Sequence, residues 1–203
     1  LVEREHLGGI CLNWGCIPTK ALLRSAEVFE QFKHADSYGL SATGVDFDLD
    51  KIVARSRGIA KQLNGGVGHL LKKNKVKVYN GQAELLGGHR LKIDQQGDDS
   101  IELSADHIIL ATGARPRNLS GLEADGQLIW TSREAMTPSS LPKSLLVMGA
   151  GAIGVEFASF YNSMGVDVTV VEVLPQILPV EDAEIAEFAR KSFTKQGIKL
   201  MTQ

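Results

Sequence analysis

Two residues of this sequence could carry out thiol chemistry: Cys11 and Cys16, its only cysteines, in the stretch GGICLNWGCIPTK. Four residues separate them, a wider spacing than in a thioredoxin-type pair. The five histidines are scattered along the chain, so no metal-binding set is recognisable and we predict no metal site. A thiol beside the start of a helix faces the positive end of the helix dipole, which favours the reactive thiolate. A redox-active pair, a static disulfide and reduced core thiols all stay open here, although glycines and a proline favour a loop over core packing.

The second candidate site is the glycine-rich stretch GAGAIG, which follows the apolar run SLLVM. Its first glycine suits a tight turn, its second lets the backbone approach a pyrophosphate, and its third lets a helix pack closely on the strand. A helix starting there directs its free N–H groups at the phosphates. The pattern predicts dinucleotide binding by Gly149, Ala150, Gly151, Ala152, Ile153 and Gly154.

An acidic residue, Glu172, ends the next predicted strand, about 20 positions after the first glycine of that turn. A carboxylate at this place accepts hydrogen bonds from the ribose 2′-hydroxyl and repels a 2′-phosphate. The site should therefore prefer NAD to NADP. The alternative is an acid that merely ends a strand in solvent.

Composition excludes several classes of partner. The chain has 203 residues, a hydrophobic fraction of 43% and a net charge of −2. No basic excess indicates nucleic acid, no apolar run approaches the roughly 20 residues of a membrane helix, and nothing resembles a signal peptide. Two cysteines cannot form the disulfide framework of a small secreted protein, so a reducing compartment is expected.

The pattern of apolar residues predicts an α/β chain. One helix should begin behind Pro18 and a second should run from about Leu49 to Lys73. Glycines in the second helix predict a break there, at Gly65, Gly66 and Gly68.

Strands are expected at both ends of this helical region. LVERE at the start of the chain reads as one. Short strands should follow between positions 76 and 111, with turns at 87–88 and 97–99, and HIILATG has the continuous apolar core of a buried parallel strand. The predicted second half contains the strand SLLVMG, a helix, the strand VDVTVVE and a last helix over about 182–195. We expect no closing element in KLMTQ.

Together these motifs resemble the flavoprotein disulfide reductases, the pyridine nucleotide-disulfide oxidoreductases, and most closely their dihydrolipoamide dehydrogenase branch. GGICLNWGCIPTKALL resembles the redox-active disulfide segment, and ATGARP and GAGAIGVE resemble later nucleotide-contacting turns. The resemblance implies two Rossmann-like dinucleotide-binding domains, both incomplete here. Residues 1–118 would belong to the FAD domain and residues 119–203 to the NAD domain. Trp14 is a less usual residue between the cysteines.

The resemblance also assigns residues to FAD. Glu3 would hold the FAD ribose, the backbone around Ala83 would pass the adenosine, and Thr112 and Gly113 would lie beside the cofactor. The remaining expected FAD contacts are Gly8, Gly9 and Lys20.

The expected reaction is oxidation of dihydrolipoamide with reduction of NAD⁺. Cys11 would exchange with the substrate dithiol, and Cys16 would face the flavin. Lys20 would lie near the reactive flavin nitrogen and pair with Glu156 of the NAD half. The donor would be the lipoyl domain of a 2-oxoacid dehydrogenase complex.

We expect the chain to be an internal fragment of a homodimeric protein, in bacterial cytoplasm or the mitochondrial matrix. The family's first FAD-binding turn and its His–Glu acid–base pair are not recognisable here. The fragment alone is therefore expected to be inactive and to bind FAD weakly. Two alternatives stay open: a glutathione-type or mercuric-type reductase, and a nucleotide-binding module without catalysis. Retention of Cys11, Cys16, Lys20 and Glu156 together argues against the second, because a module without catalysis needs none of them.

Overall fold

The computed structural model describes residues 1–95 and 99–203, and helices alternate with strands as an α/β fold requires. The helices are α1 (Gly9–Trp14), α2 (Cys16–Lys33), α3 (Leu49–Lys73), α4 (Ser132–Met136), α5 (Ala152–Ser163) and α6 (Ala183–Lys195). The strands are β1 (Val2–Glu3), β2 (Tyr79–Gly87), β3 (Arg90–Gln95), β4 (Ile101–Ser104), β5 (Ser144–Met148), β6 (Asp167–Glu172) and β7 (Lys199–Thr202). A short 3₁₀ helix, Ala35–Tyr38, follows α2.

The first sheet has the order β1-β2-β3-β4. Strand β1 is parallel to β2, which sets Glu3 opposite Asn80, and the other pairs are antiparallel. Apart from HIILATG, the strands predicted between positions 76 and 111 are confirmed, as is the turn at 87–88, because alternating apolar residues and glycines mark a local hairpin. Of the second predicted turn, Gly97 and Asp98 lie outside the described residues.

The second sheet has the order β5-β6-β7 and all its strands are parallel. Helices α5 and α6 connect them, so the second half is a parallel βαβαβ unit. The expectation that nothing closes the chain was wrong, since residues 199–202 form β7 beside β6. Helix α6 begins where predicted, because the Asp182 side chain accepts hydrogen bonds from the first free N–H groups.

HIILATG is not a buried strand. Residues 107–113 carry no regular structure, and the side chains of Ile109 and Leu110 are 90% and 67% exposed. A strand needs hydrogen-bonding neighbours, and within the described residues none pairs with this segment. The strand was predicted from the run of apolar residues alone, and such a run does not show whether a neighbouring strand is present to pair with it.

The main core joins α2 to α5 and to the second sheet. Leu22 and Ala26 on α2 belong to the same buried cluster as Phe160 and Tyr161 on α5 and Val168 on β6. Burial of these side chains fixes the cysteine-bearing helix against the predicted NAD half, because close-packed interiors leave little room for shifts.

Helix α3 is continuous over 25 residues, so the predicted break at its glycines was wrong. Leu7 contacts the helix at the glycines: its carbonyl accepts a hydrogen bond from the Asn64 amide, and its side chain lies 3.7 Å from the position of a Cβ atom at Gly68. Among the described residues, no helix combines the length and the apolar character that crossing a bilayer requires.

Candidate active site

The cysteine segment is helical, and its two thiols are joined. Cys11 on α1 and Cys16 at the start of α2 form a disulfide with their Cα atoms 4.8 Å apart. Both residues are exposed, which excludes reduced core thiols. The predicted loop was wrong: α2 begins at Cys16, and Pro18 lies in its first turn, where a missing N–H costs no helical hydrogen bond.

A glycine between the helices lets the cysteines meet. A Cβ atom at Gly15 would lie 2.9 Å from the Cα atom of Cys11 and 3.0 Å from the carbonyl oxygen of Ile10. Real side chains do not approach backbone so closely. Gly15 therefore allows the sharp step from α1 to α2 that brings Cys16 back over Cys11.

Hydrogen bonds from Asn13 stabilise the start of the cysteine segment. The buried Asn13 amide nitrogen donates to the carbonyl oxygens of Leu7, at 2.9 Å, and Gly9, at 2.8 Å. Asn64 on α3 donates to the same Leu7 carbonyl, at 2.6 Å, and to the Asn13 side chain, at 3.1 Å. Sequence reasoning missed this network, because Asn13 and Asn64 are 51 positions apart.

An arginine of α3 reaches the residues between the cysteines. Its Nη1 atom donates to the carbonyl oxygen of Asn13 at 2.6 Å, and its guanidinium lies 3.9 Å from the centre of the Trp14 ring. This residue, Arg57, is partly buried, and burial lowers its pKa below the ordinary value. Arg133 of α4 stands over the same ring at 5.3 Å. No motif marked either arginine.

The predicted ion pair between the two halves is present. The Lys20 ammonium donates to the Glu156 carboxylate, which joins α2 to α5 across 136 positions of sequence. Lys20 and Cys16 are four residues apart on one helix, so their side chains share a face. The pair thus places a fixed cation on the face of α2 that carries one sulfur; its assignment to a flavin stays a prediction.

Four of the residues predicted for FAD surround one cleft of about 80 Å³: Glu3, Gly9, Thr112 and Gly113. Glu3 ends β1, with its carboxylate accepting the Glu5 N–H at 2.8 Å. The cleft is smaller than the roughly 300 Å³ of sites that enclose a small molecule, so it suits part of a dinucleotide. The structure does not bring Gly8, Lys20 or Ala83 into its lining.

Basic side chains flank this cleft and are tied to one carboxylate. Glu5 pairs with Arg115 at 3.0 Å and with Arg133 at 3.1 Å. The hydrogen bond from Arg133 is the main cause that holds the Glu5 pKa below its ordinary value. Arg115 and Arg133 line the same cleft as Glu3, the acid predicted for the ribose, and guanidinium groups suit the phosphates of a dinucleotide. Sequence reasoning did not select Glu5, Arg115 or Arg133.

The predicted NAD turn has the required geometry. Gly149 has a φ of +98°, and a Cβ at Gly154 would overlap the Gly149 carbonyl oxygen, so glycine is needed at both ends. At Gly151 nothing lies near the position of a Cβ, which leaves the backbone open to a ligand. Ala152 and Ile153, also predicted, are exposed in the first turn of α5, which has no side-chain cap. Its free N–H groups can therefore meet a phosphate.

Glu172 is at the glycine turn rather than free in solvent. Its carboxylate accepts the Ala150 N–H at 2.8 Å and the Leu174 N–H at 3.0 Å. The Ala150 hydrogen bond is the main cause that lowers the pKa of Glu172. An ionised acceptor beside the turn fits a ribose hydroxyl, so the residues present fit an NAD-type dinucleotide.

Comparison with known proteins identifies the family. The sequence model for pyridine nucleotide-disulphide oxidoreductases matches residues 1–203. The chain belongs to the pyridine nucleotide-disulphide oxidoreductase family. The chain is 54% identical to the dihydrolipoyl dehydrogenases of Rhizobium etli and Zymomonas mobilis, with all of the chain aligned in each case.

Solved structures of similar proteins agree with this fold. LpdA from Mycobacterium tuberculosis superposes on 99% of the chain with a TM-score of 0.91 and 30% identity. The flavoprotein disulfide reductase RclA from Escherichia coli, solved as a Cu(II) complex, gives a TM-score of 0.81 over the whole chain with 28% identity. The chain spans 45% and 44% of the two dehydrogenases and 44% and 42% of the two solved chains.

Proposed function

We propose that the chain is part of an NAD-dependent dihydrolipoamide dehydrogenase that uses FAD. The observation that carries this proposal is the exposed Cys11–Cys16 disulfide at the start of an 18-residue helix. The names of the relatives at 54% identity support the substrate, and the glycine turn with Glu172 supports NAD. The proposed donor is a lipoyl domain of a 2-oxoacid dehydrogenase complex, and the proposed complete protein is a homodimer.

The position of the sulfurs favours Cys11 as the one that the substrate attacks. A substrate thiolate that attacks the Cys11 sulfur breaks the S–S bond and expels Cys16 as the leaving thiolate. Cys16 is the first residue of α2, where the helix dipole stabilises an anion. Exchange is faster when the departing thiolate is the more stable one. The substrate and Cys11 are then joined in a mixed disulfide.

A second exchange releases the product. The second thiolate of the substrate attacks the substrate sulfur that is bonded to Cys11 and expels the Cys11 thiolate. Lipoamide then leaves with an internal disulfide, and the protein keeps a reduced cysteine pair. Two electrons have passed to the cysteine pair. Lys20 lies on the same face of α2 as the Cys16 thiolate and can balance its charge, held there by Glu156.

FAD, when bound, would supply the two-electron carrier between the cysteine pair and NAD⁺. Glu3, Thr112 and Gly113 would bind it on the cleft side. On the NAD side, Glu172 would accept the ribose hydroxyl while still ordering the turn through the Ala150 N–H.

The test uses the protein expressed from its complete gene. NADH formation from dihydrolipoamide should be fast in the parent and at least about 1,000-fold slower in Cys11→Ser, because without the Cys11 sulfur neither the Cys11–Cys16 disulfide nor the mixed disulfide with the substrate can form. Ser37→Ala, a change in an exposed 3₁₀ turn, is the matched control and should keep the parent rate. A parent protein that produces no NADH would contradict the proposal.

A second candidate is a flavoprotein disulfide reductase of another substrate. The similarity to RclA favours it, since that chain shares the fold at 28% identity. NADPH-dependent reduction of glutathione disulfide is run beside the first assay. Turnover in this second assay, without NADH formation in the first, would mean that the substrate is glutathione disulfide rather than dihydrolipoamide. It would also show that Glu172 does not reject a 2′-phosphate.

A further inference from the structure

Trp14, one of the four residues between the two cysteines, is held by a cation of a distant helix. Trp14 follows Asn13 in the stretch that connects Cys11 to Cys16, and the Arg57 guanidinium stands over its ring at 3.9 Å. A guanidinium within about 6 Å of an indole face is attracted by the charge distribution of the ring. We call this contact the Trp14–Arg57 stack.

Arg57 also fixes the backbone at the same point. Its Nη1 atom donates to the Asn13 carbonyl oxygen at 2.6 Å, so one side chain holds both the peptide and the neighbouring ring. Arg57 is on α3, 43 positions beyond Trp14, and α3 is a continuous helix. A rigid helix therefore supports the short segment that joins the cysteines.

The face of the indole, not its N–H group, makes these contacts. The Trp14 Nε1 atom is buried and has no hydrogen-bond partner in the part of the chain that the structure describes. A buried donor without a partner is unfavourable. An aromatic ring without this donor should therefore support the stack equally well.

We propose that the Trp14–Arg57 stack positions the Cys11–Cys16 pair and so sets its reduction equilibrium, an inference that rests on the proposed redox function. On reduction the S–S bond breaks and the segment could separate the sulfurs. The stack restrains residues 13 and 14 and keeps the thiols close. Close thiols reform their disulfide more readily, so the stack favours the oxidised state.

The experiment measures this equilibrium in the holoprotein from the complete gene. The protein is equilibrated without oxygen in dithiothreitol buffers of graded potential, in which dithiothreitol gives two electrons and two protons and closes to its cyclic disulfide. Free thiols are then alkylated, and mass spectrometry counts the alkyl groups on the peptide that contains Cys11 and Cys16. This readout does not depend on turnover.

Trp14→Val and Arg57→Met should each make the disulfide easier to reduce by about tenfold in the equilibrium constant. This corresponds to a rise of about 30 mV in midpoint potential. Trp14→Phe should stay near the parent, because it keeps an aromatic face for Arg57. The double variant should shift little more than the larger single change, since both changes remove the same contact.

Arg55→Met is the matched control. Arg55 is on the same helix and also donates to a backbone carbonyl, that of Ala21 at 2.8 Å, but Trp14 is not among its contacts. The inference is supported if the midpoint potential is unchanged in Arg55→Met but raised in Trp14→Val and in Arg57→Met. Equal shifts of the midpoint potential in all three variants, or no shift in Trp14→Val and Arg57→Met, overturn the inference. The proposed function still stands in these cases, provided that the cysteine pair of the parent can be reduced and reoxidised in the titration. A parent pair that does not titrate overturns both.

Discussion

The placement of Lys20 relative to Cys16 and Glu156 determines what this lysine can do. Cys16 and Lys20 share a helical face because four positions separate them, and Glu156 then holds the lysine from another helix. The exposed fractions are 60% for the Lys20 side chain and 25% for that of Glu156. So exposed a pair adds little to stability. Its role is positional: it keeps a cation on the face of α2 that carries Cys16, where it would balance the charge of the proposed thiolate.

Glu172 gives a prediction about pH. The Ala150 N–H lowers its pKa in the folded chain from the ordinary 4.5, so its contribution to stability is present above about pH 4.5 and is lost as pH falls through the folded pKa. The free energy of unfolding of Glu172→Gln should therefore be below that of the parent at pH 7. The difference should shrink toward about pH 3.

Urea unfolding at several pH values measures both quantities. A gap between parent and Glu172→Gln that stays constant from about pH 7 to about pH 3 would show that the Glu172 charge does not stabilise the turn.

At the scale of elements, the turn between β5 and α5 separates two roles of glycine. Gly154 is needed for packing, since a Cβ there would overlap the Gly149 carbonyl oxygen. Gly151 has a φ of −70° and open space around it, so the fold tolerates a side chain there. The same open space is where a dinucleotide backbone would approach.

Alanine substitutions should separate these roles. Gly154→Ala should lower the free energy of unfolding by about 1–3 kcal/mol through overpacking. Gly151→Ala should change it by less than about 0.5 kcal/mol yet weaken NAD binding by about tenfold or more, because the new methyl group meets the pyrophosphate. Denaturant unfolding and calorimetric titration with NAD⁺ measure the two effects. Equal loss of stability in both variants would contradict this assignment.

At the scale of the whole molecule, a buried cluster joins the cysteine helix of the first predicted half to the second predicted half. Leu22 of the cysteine helix is fully buried in the cluster that contains Tyr161 of α5, and the Tyr161 hydroxyl donates to the Ala135 carbonyl at 2.8 Å. Burial raises the pKa of that hydroxyl. The disulfide is thus anchored to the second sheet through packing rather than through the cysteine segment alone. The boundary at 118/119 and the weak FAD binding of the chain alone stay predictions.

Removal of one core side chain should loosen both halves. Leu22→Ala should lower the free energy of unfolding by about 2–5 kcal/mol, whereas Leu40→Ala, at a leucine that is 64% exposed, should change it by less than about 0.5 kcal/mol. Tryptophan fluorescence and circular dichroism should follow one transition. Separate transitions, with only one affected by Leu22→Ala, would mean that the halves unfold independently.

Much of the candidate site could be predicted from local sequence. The cysteine spacing, the glycine turn and the acid at the end of β6 depend on neighbouring residues whose backbone geometry is restricted by residue type. The paired lysine and glutamate came from the family resemblance, and no local pattern would have joined Lys20 to Glu156. The helix that begins at Cys16 was missed, because glycine and proline also suit a loop. Only the close approach of the backbone at Gly15, which no local pattern shows, distinguishes two successive helices from a loop.

The sequence by itself therefore determined which chemistry the chain can support: a thiol pair and a dinucleotide turn on an α/β fold. Tertiary structure alone decided how the thiol pair is held, by Arg57 and Asn64 of α3, and where HIILATG lies. It also decided that the α3 glycines do not break their helix. The physical reason is range. Backbone preference and apolar periodicity act over a few residues, whereas contacts across 40 to 140 positions form only when packing brings the elements together.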